Sequence, residues 1–287
     1  MTTSSTTHSP LSICFNGAGS MAEAIVKGLI AREVARPEQI SMLNRSNQER
    51  LNELTEKYGV ITANLEDVKR ELLTSASIIV LAMKPKDAGA ALKELGPLLQ
   101  EKQLIVSVIA GLSIDTIQAL LGFKAPVART MPNTSSSIGL GATGIAFSKE
   151  TTAEQTNQVL SMFEAVGTVS VIPEARMEIL TGVSGSGPAY IYYMMEAMMA
   201  AGIEGGLTPE QARELTVQTV RGAASMMIET GEDPAKLRAD ITSPNGSTQA
   251  ALEVLAAGNF TATVKAAVHR CAERSQEMGE AVKKALL

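Results

Sequence analysis

The chain has no tryptophan, two cysteines, two histidines and only 3% aromatic residues in 287. Cys14 and Cys271 stand in different halves with no paired spacing, so neither a disulfide framework nor a zinc ribbon is available. That usage suits a reducing compartment, and the cytoplasm is the expected location. His8 and His269 join no His/Cys/acid cluster with metal spacing, so no metal site is expected. The few aromatics leave no platform for stacking bases, and a net charge of −5 offers no basic surface to nucleic acid or an anionic membrane. No apolar run is long enough to span a bilayer. Residues 1–10 are rich in Ser and Thr and lack the basic start and apolar core of a signal peptide, so they read as a disordered tail.

What is present describes a globular protein: 45% apolar and 19% charged residues, enough for two domains that each bury a core. Short apolar runs at 11–16, 40–43, 78–82 and 104–109 alternate with helix-compatible sequence, and 126–130, 144–147 and 169–172 look like further strands. The runs show no polar alternation, as expected for parallel strands buried on both faces. The expected fold is α/β: a Rossmann-like doubly wound sheet over residues 11–172, then an all-helical domain over 173–287. The second half begins as one long helix over 174–201. Thr208-Pro209-Glu210 marks another start, because Thr caps, Pro takes the first helical position and an acid follows. Helical sequence runs on to 230, and again over 247–255 and 261–287.

Gly17-Ala18-Gly19-Ser20-Met21-Ala22 follows the first strand and opens the first helix. This is the dinucleotide fingerprint with Ala in its third place: Gly17 for the tight turn, Gly19 for close backbone approach to a pyrophosphate, Ala22 for close helix packing. The alternative is a glycine turn without a ligand; the position at the head of an alternating domain favours the cofactor. After the second strand the chain reads Asn44-Arg45-Ser46, where an NAD enzyme usually carries an acid. A cation between two small polar residues suits a 2′-phosphate, so NADPH is expected over NADH, with Arg45 as a solvated surface charge the competing reading.

Hydroxyacid and alcohol dehydrogenases need a proton shuttle, often His or Lys. His8 lies in the tail and His269 on the last helix. Gly185-Ser186-Gly187 is followed by Pro188-Ala189-Tyr190-Ile191-Tyr192-Tyr193, without the Lys that β-hydroxyacid dehydrogenases place there. A C=N substrate removes the requirement: an imine protonates near neutral pH, and the protein has mainly to position the reactants. Thr242-Ser243-Pro244-Asn245-Gly246-Ser247-Thr248 precedes a helix, and its amides and the Ser243, Ser247 and Thr248 hydroxyls can receive a carboxylate. An ordinary helix cap is the alternative.

With these elements in order, the sequence resembles the pyrroline-5-carboxylate reductase family over nearly its whole length. The glycine turn, Asn44-Arg45-Ser46, Ala82-Met83-Lys84-Pro85, Ser107-Val108-Ile109-Ala110-Gly111, Arg129-Thr130-Met131-Pro132-Asn133-Thr134, Gly185 to Ala189 and Thr242 to Thr248 all match, the last most specifically. The resemblance implies reduction of 1-pyrroline-5-carboxylate to L-proline with NADPH, NADH being used more weakly. It implies that Gly17, Gly19, Ser20, Met21, Asn44, Arg45, Ser46, Asn64, Ala82, Met83, Lys84, Ala110 and Gly111 hold the cofactor. Ser243, Gly246, Ser247 and Thr248 would hold the substrate, with Thr248 the catalytic candidate near the imine nitrogen. It also implies a homodimer through the C-terminal helices, often assembled further into decamers in the family. Met194, Met195, Met198, Met199, Met226 and Met227 would suit that interface, or equally an intrachain core. The family usually reads Ser-Pro-Gly-Gly where Asn245 here replaces the first Gly, a turn that Asn tolerates; Ser247 is a milder variation. Asn245 keeps open a six-membered cyclic imine as substrate. A non-catalytic NADPH sensor would be expected to have lost the loop's anion-binding groups, which are present.

Overall fold

The computed structural model describes residues 11–286; the expected tail at 1–10 lies outside the described residues. Eight strands form one sheet: β1 (Ile13–Asn16), β2 (Ile40–Leu43), β3 (Ile61–Ala63), β4 (Ile78–Leu81), β5 (Leu104–Ser107), β6 (Val127–Met131), β7 (Gly141–Phe147) and β8 (Gly167–Val171). Their order is β3-β2-β1-β4-β5-β6-β7-β8. The first six are parallel; β7 turns back antiparallel to β6, and β8 pairs parallel to β7. Helices α1 (Ser20–Ala31), α2 (Gln48–Tyr58), α3 (Glu66–Ser75), α4 (Pro85–Leu95), α5 (Ile114–Leu121) and α6 (Ala153–Glu164) connect them. Strand order reverses at β1 and β4, the switch point where a Rossmann sheet binds its dinucleotide.

Successive residues of each central strand enter different cores, because strand side chains alternate faces. Ile13, Phe15, Val80 and Val106 pack with Ile25, Leu29, Leu54 and Phe163 on one side. Cys14, Ile79, Leu81 and Ile105 pack with Leu92, Ile117 and Leu121 on the other. Each such aliphatic side chain contributes roughly 1.5–3 kcal/mol when fully buried. The uninterrupted apolar runs are therefore the signature of two-sided burial. Burial also pushes the Cys14 thiol up to about 11, against a smaller opposing effect from a hydrogen bond with Ser41, making it an inert core group.

Two elements escape the sequence pattern. β3 has only three residues and lies at the sheet edge, too short for a periodicity to show. A short helix, Pro234–Asp240, follows the cap of Asp233, whose side chain accepts from the Ala235 amide. The expected continuous helix over 174–201 is interrupted: α7 (Met177–Leu180) widens into a π-helical segment, Thr181–Gly185, before α8 (Gly187–Glu204) begins. Glycines at 182, 185 and 187 and Pro188 supply the reason, since they weaken the i→i+4 ladder there.

Compactness divides the chain at a different place from the sheet's end. The expected boundary at residue 173 follows β8. The first compact unit, however, continues through Ser186 and takes back Arg270–Leu287, leaving Gly187–His269 as the second. The second unit holds α8, α9 (Pro209–Thr230), α10 (Pro234–Asp240), α11 (Ser247–Ala257) and the start of α12 (Phe260–Leu286). α9 begins as the sequence predicts: Thr208 and Gln211 form a reciprocal capping box, and Gly231 closes the helix in the left-handed region. No residue of α8 is buried. Tyr193 is 77% exposed and Ile228 80%. Met194, Met198, Met226 and Met227 are exposed as well, so those methionines do not form an intrachain core.

Candidate functional site

The cofactor residues of the sequence reading converge at the carboxyl ends of the parallel strands. The Gly17 amide donates to Leu43 O at 3.2 Å, Ala82 to Asn16 O at 3.0 Å, Asn44 to Ala63 O at 3.3 Å and Val108 to Leu81 O at 3.1 Å. These bonds stitch the loops after β1, β2, β4 and β5 to neighbouring strand ends. Residues far apart in sequence thus share one rim.

At the centre is the glycine turn. Gly17 has φ +124, and a Cβ placed there would lie 2.5 Å from Ala82 O. Both the backbone angle and the approach to the β4 loop require glycine. Gly19 is the reverse case: it is extended, and a Cβ on it would meet nothing within 4 Å. It is the N-cap of α1 and offers no side-chain cap. The first turn of α1 thus starts at an exposed, uncapped glycine with a helix dipole behind it, an environment that suits a pyrophosphate. Ser20 is exposed and Met21 half-buried beside it.

The loop after β2 is built by Asn44, whose Oδ1 accepts from the Ser46 amide at 3.1 Å and the Asn47 amide at 3.0 Å. That leaves Arg45 and Ser46 exposed. Asn47 then caps α2 by accepting from the Arg50 amide at 2.9 Å. Asn64 follows β3, next to this loop in the strand order. After β4, Lys84 is the N-cap of α4 with Pro85 at its first position; Ala82 and Met83 are half-buried and Lys84 is exposed. Gly111 lies after β5 at φ +76, its outer side closed by α12: a Cβ on Gly279 would be 2.2 Å from Gly111 O. The arrangement suits a dinucleotide laid across the switch point, and an Arg with small polar neighbours suits a 2′-phosphate.

In the second unit, the segment 242–248 forms a tight turn into α11. The Gly246 amide donates to Ser243 O at 3.0 Å. Asn245 adopts φ 57, and its amide donates to Gln249 Oε1 at 2.9 Å. Gln249 is itself held by Glu253 at 2.8 Å. Gly246 is the N-cap of α11 and supplies no side-chain cap to the first turn, which begins at Ser247 and Thr248. Ser243 and Ser247 are exposed, Gly246 and Thr248 half-buried.

Sequence reasoning missed two supporting arrangements. Asn133 donates to Ser184 O at 3.0 Å and accepts from the Ala142 amide at 3.3 Å, fastening the end of β6 to the π-helical segment. Its place in the Arg129–Thr134 motif was the available signal. Arg129 is buried and pairs with Glu174 at 3.2 Å and Glu178 at 2.7 Å. The second arrangement surrounds Glu23, which accepts from Arg50, from Lys57 at 2.8 Å and from Tyr58 at 2.8 Å. Hydrogen bonds from Arg50 and then Lys57 hold its carboxyl well below the usual range, at about 2.

Residues 174–278 match the family model for pyrroline-5-carboxylate reductase dimerisation. Residues 12–111 match the model described as NADP oxidoreductase, coenzyme F420-dependent. Pyrroline-5-carboxylate reductase 2 of Bacillus subtilis (strain 168) is 41% identical over 268 residues, 93% of this chain and 95% of the relative. Among solved structures, a pyrroline-5-carboxylate reductase from Coxiella burnetii is 38% identical with a TM-score of 0.87, covering 94% of this chain and 99% of the other. The Plasmodium falciparum pyrroline carboxylate reductase, solved with NADP bound, is 28% identical with a TM-score of 0.84, covering 94% and 98%.

Proposed function

This chain belongs to the pyrroline-5-carboxylate reductase family, and on that premise we propose that its glycine turn and Asn44–Ser46 loop hold NADPH while the 242–248 turn holds the imine's carboxylate. The reaction is the NADP-dependent reduction of 1-pyrroline-5-carboxylate to L-proline, the last step of proline biosynthesis. The observation that carries the cofactor assignment is the contrast within the turn: Gly17 is packed against Ala82, while Gly19 leaves open space before uncapped amides.

The residues divide the work. The Gly19 to Met21 amides receive the pyrophosphate, and Arg45 with Asn44 and Ser46 receives the 2′-phosphate, with Asn64 beside them. Ala82, Met83, Lys84, Ala110 and Gly111 line the nicotinamide end. When bound, the reduced nicotinamide supplies the two electrons and the hydrogen that saturate the C=N bond. Ser243, Gly246, Ser247 and Thr248 fix the carboxylate with amides and hydroxyls. The Thr248 hydroxyl oxygen accepts a hydrogen bond from the protonated ring nitrogen; no strong protein acid is needed, because the imine is protonated near neutral pH. NADH, which lacks the group that Arg45 reads, is used more weakly.

We infer a homodimer built on the helical segment, with decamers as a further level of assembly; the exposed apolar residues of α8 and α9 support an interface there. No helix among the described residues is long and apolar enough to cross a membrane. Two unpaired cysteines suit a cytoplasmic enzyme.

The test is NADPH oxidation, followed by absorbance, with the five-membered imine and its six-membered homologue in parallel. Faster turnover of the five-membered ring is expected. Preference for the larger ring would assign Asn245 a change of substrate, and NADPH binding without turnover of either ring would make the protein a sensor. In the same assay Thr248→Ala lowers turnover or imine affinity while NADPH still binds.

A further inference from the structure

Glu23 places an anion in the first turn of α1, one turn from amides expected to receive a phosphate. Three groups on α2 answer it: Arg50, Lys57 and Tyr58. Arg50 does more than neutralise. Its guanidinium is shared three ways, with Nη2 on Glu23, Nη1 on Glu53 at 3.1 Å and Nε donating to Ala18 O at 3.2 Å. Ala18 is the middle residue of Gly17-Ala18-Gly19. In a trans peptide the carbonyl of one residue and the amide of the next point in opposite directions, and no cis bond occurs among the described residues. Pinning the Ala18 carbonyl toward α2 therefore aims the Gly19 amide away from α2, toward the open side of the turn. Arg50 also stands one turn beyond the Asn44–Asn47 loop, its amide held by the Asn47 cap at 2.9 Å. One side chain thus joins the loop at the adenosine end to the turn at the pyrophosphate.

We propose that Arg50 is a positioning residue for the dinucleotide, setting the Ala18–Gly19 peptide so that the Gly19 amide is oriented before the cofactor arrives. The proposal rests on the reading that NADPH lies on the glycine turn. Because the pyrophosphate is common to both cofactors, loss of this orientation weakens NADPH and NADH alike, whereas loss of Arg45 weakens NADPH more. A lysine at 50 can still neutralise Glu23, but it has no Nε–H in a planar fork to hold the Ala18 carbonyl at the same time.

The experiment measures NADPH and NADH dissociation constants from nucleotide fluorescence, and the KM of the imine at saturating NADPH. It compares the full chain with Arg50→Lys, Arg50→Ala, Glu53→Gln and Arg45→Ala, well below each thermal midpoint. Arg50→Lys and Arg50→Ala are expected to raise both dissociation constants roughly tenfold, the size of one lost charge-assisted hydrogen bond. The KM of the imine stays within about twofold, and so do the cofactor constants of Glu53→Gln, on the same basis. Full rescue by Arg50→Lys, a loss confined to NADPH, or a fall in thermal midpoint with unaltered cofactor affinity would each overturn the proposal. If Arg50→Ala does not fold, Arg50→Lys carries the same expectation. A parent protein that binds neither nucleotide would overturn the cofactor reading itself, whatever the Arg50 variants do.

Discussion

Gly17→Ala and Gly19→Ala insert the same methyl group two residues apart and should fail in different ways. At Gly17 the backbone sits at φ +124, and the new Cβ would lie 2.5 Å from Ala82 O, 2.6 Å from Ala82 C and 3.0 Å from Met83 N. The strained backbone costs about 1–3 kcal/mol. Overpacking against backbone, which cannot rotate away as a side chain can, adds about 1–3 kcal/mol. Gly17→Ala should therefore destabilise the Rossmann unit by about 2–6 kcal/mol in total. At Gly19, φ is −77 and the added Cβ meets nothing. The penalty is limited to the N-cap preference of glycine over alanine, under about 1 kcal/mol. The methyl would instead stand where the pyrophosphate must approach, so Gly19→Ala should keep the fold and weaken NADPH about tenfold or more. Urea unfolding followed by far-ultraviolet circular dichroism reads the first effect, and nucleotide fluorescence reads the second. Equal losses of stability in the two variants would refute the steric argument. Unaltered NADPH affinity in Gly19→Ala would refute the placement of the cofactor on this turn.

Two further outcomes follow from the ion pairs. Arg129→Ala strands Glu174 and Glu178, which lie 3.2 and 2.7 Å from the guanidinium; because both acids are only partly buried, the loss should be about 2–3 kcal/mol, below that of a fully buried pair, as urea unfolding would show. Glu23 is depressed from 4.5 to about 2, chiefly by its hydrogen bonds from Arg50 and Lys57. A carboxyl depressed on folding adds stability that is complete above about pH 4.5 and is lost as pH falls toward about 2. Glu23→Gln should therefore flatten the dependence of the thermal midpoint on pH in that window, and parallel curves for parent and variant would show that the carboxylate is not held as described.

The Rossmann strands, the glycine turn and the α9 cap were legible in the sequence because each depends on neighbours in the chain. A strand buried on both faces must be continuously apolar, as at Ile78–Leu81, and a turn at positive φ with no room for a Cβ must be glycine, as at Gly17. A capping box needs only Thr208 and Gln211, three residues apart. The family's motifs reached further and named the 242–248 turn, but not how it is held: Gln249 braces Asn245, and Glu253 braces Gln249. β3 stayed hidden because three residues at a sheet edge have no period to read. The convergence of Gly17, Asn44, Ala82 and Val108 is set by strand order, which local pattern does not encode. Arg50 reads in sequence as one more charge on a polar helix. Glu53 is its neighbour on the same helix, but only the packing of α2 beside the glycine turn brings its other donors to Glu23 and the Ala18 carbonyl, since hydrogen bonds across 27 and 32 residues depend on tertiary geometry and leave no periodic trace.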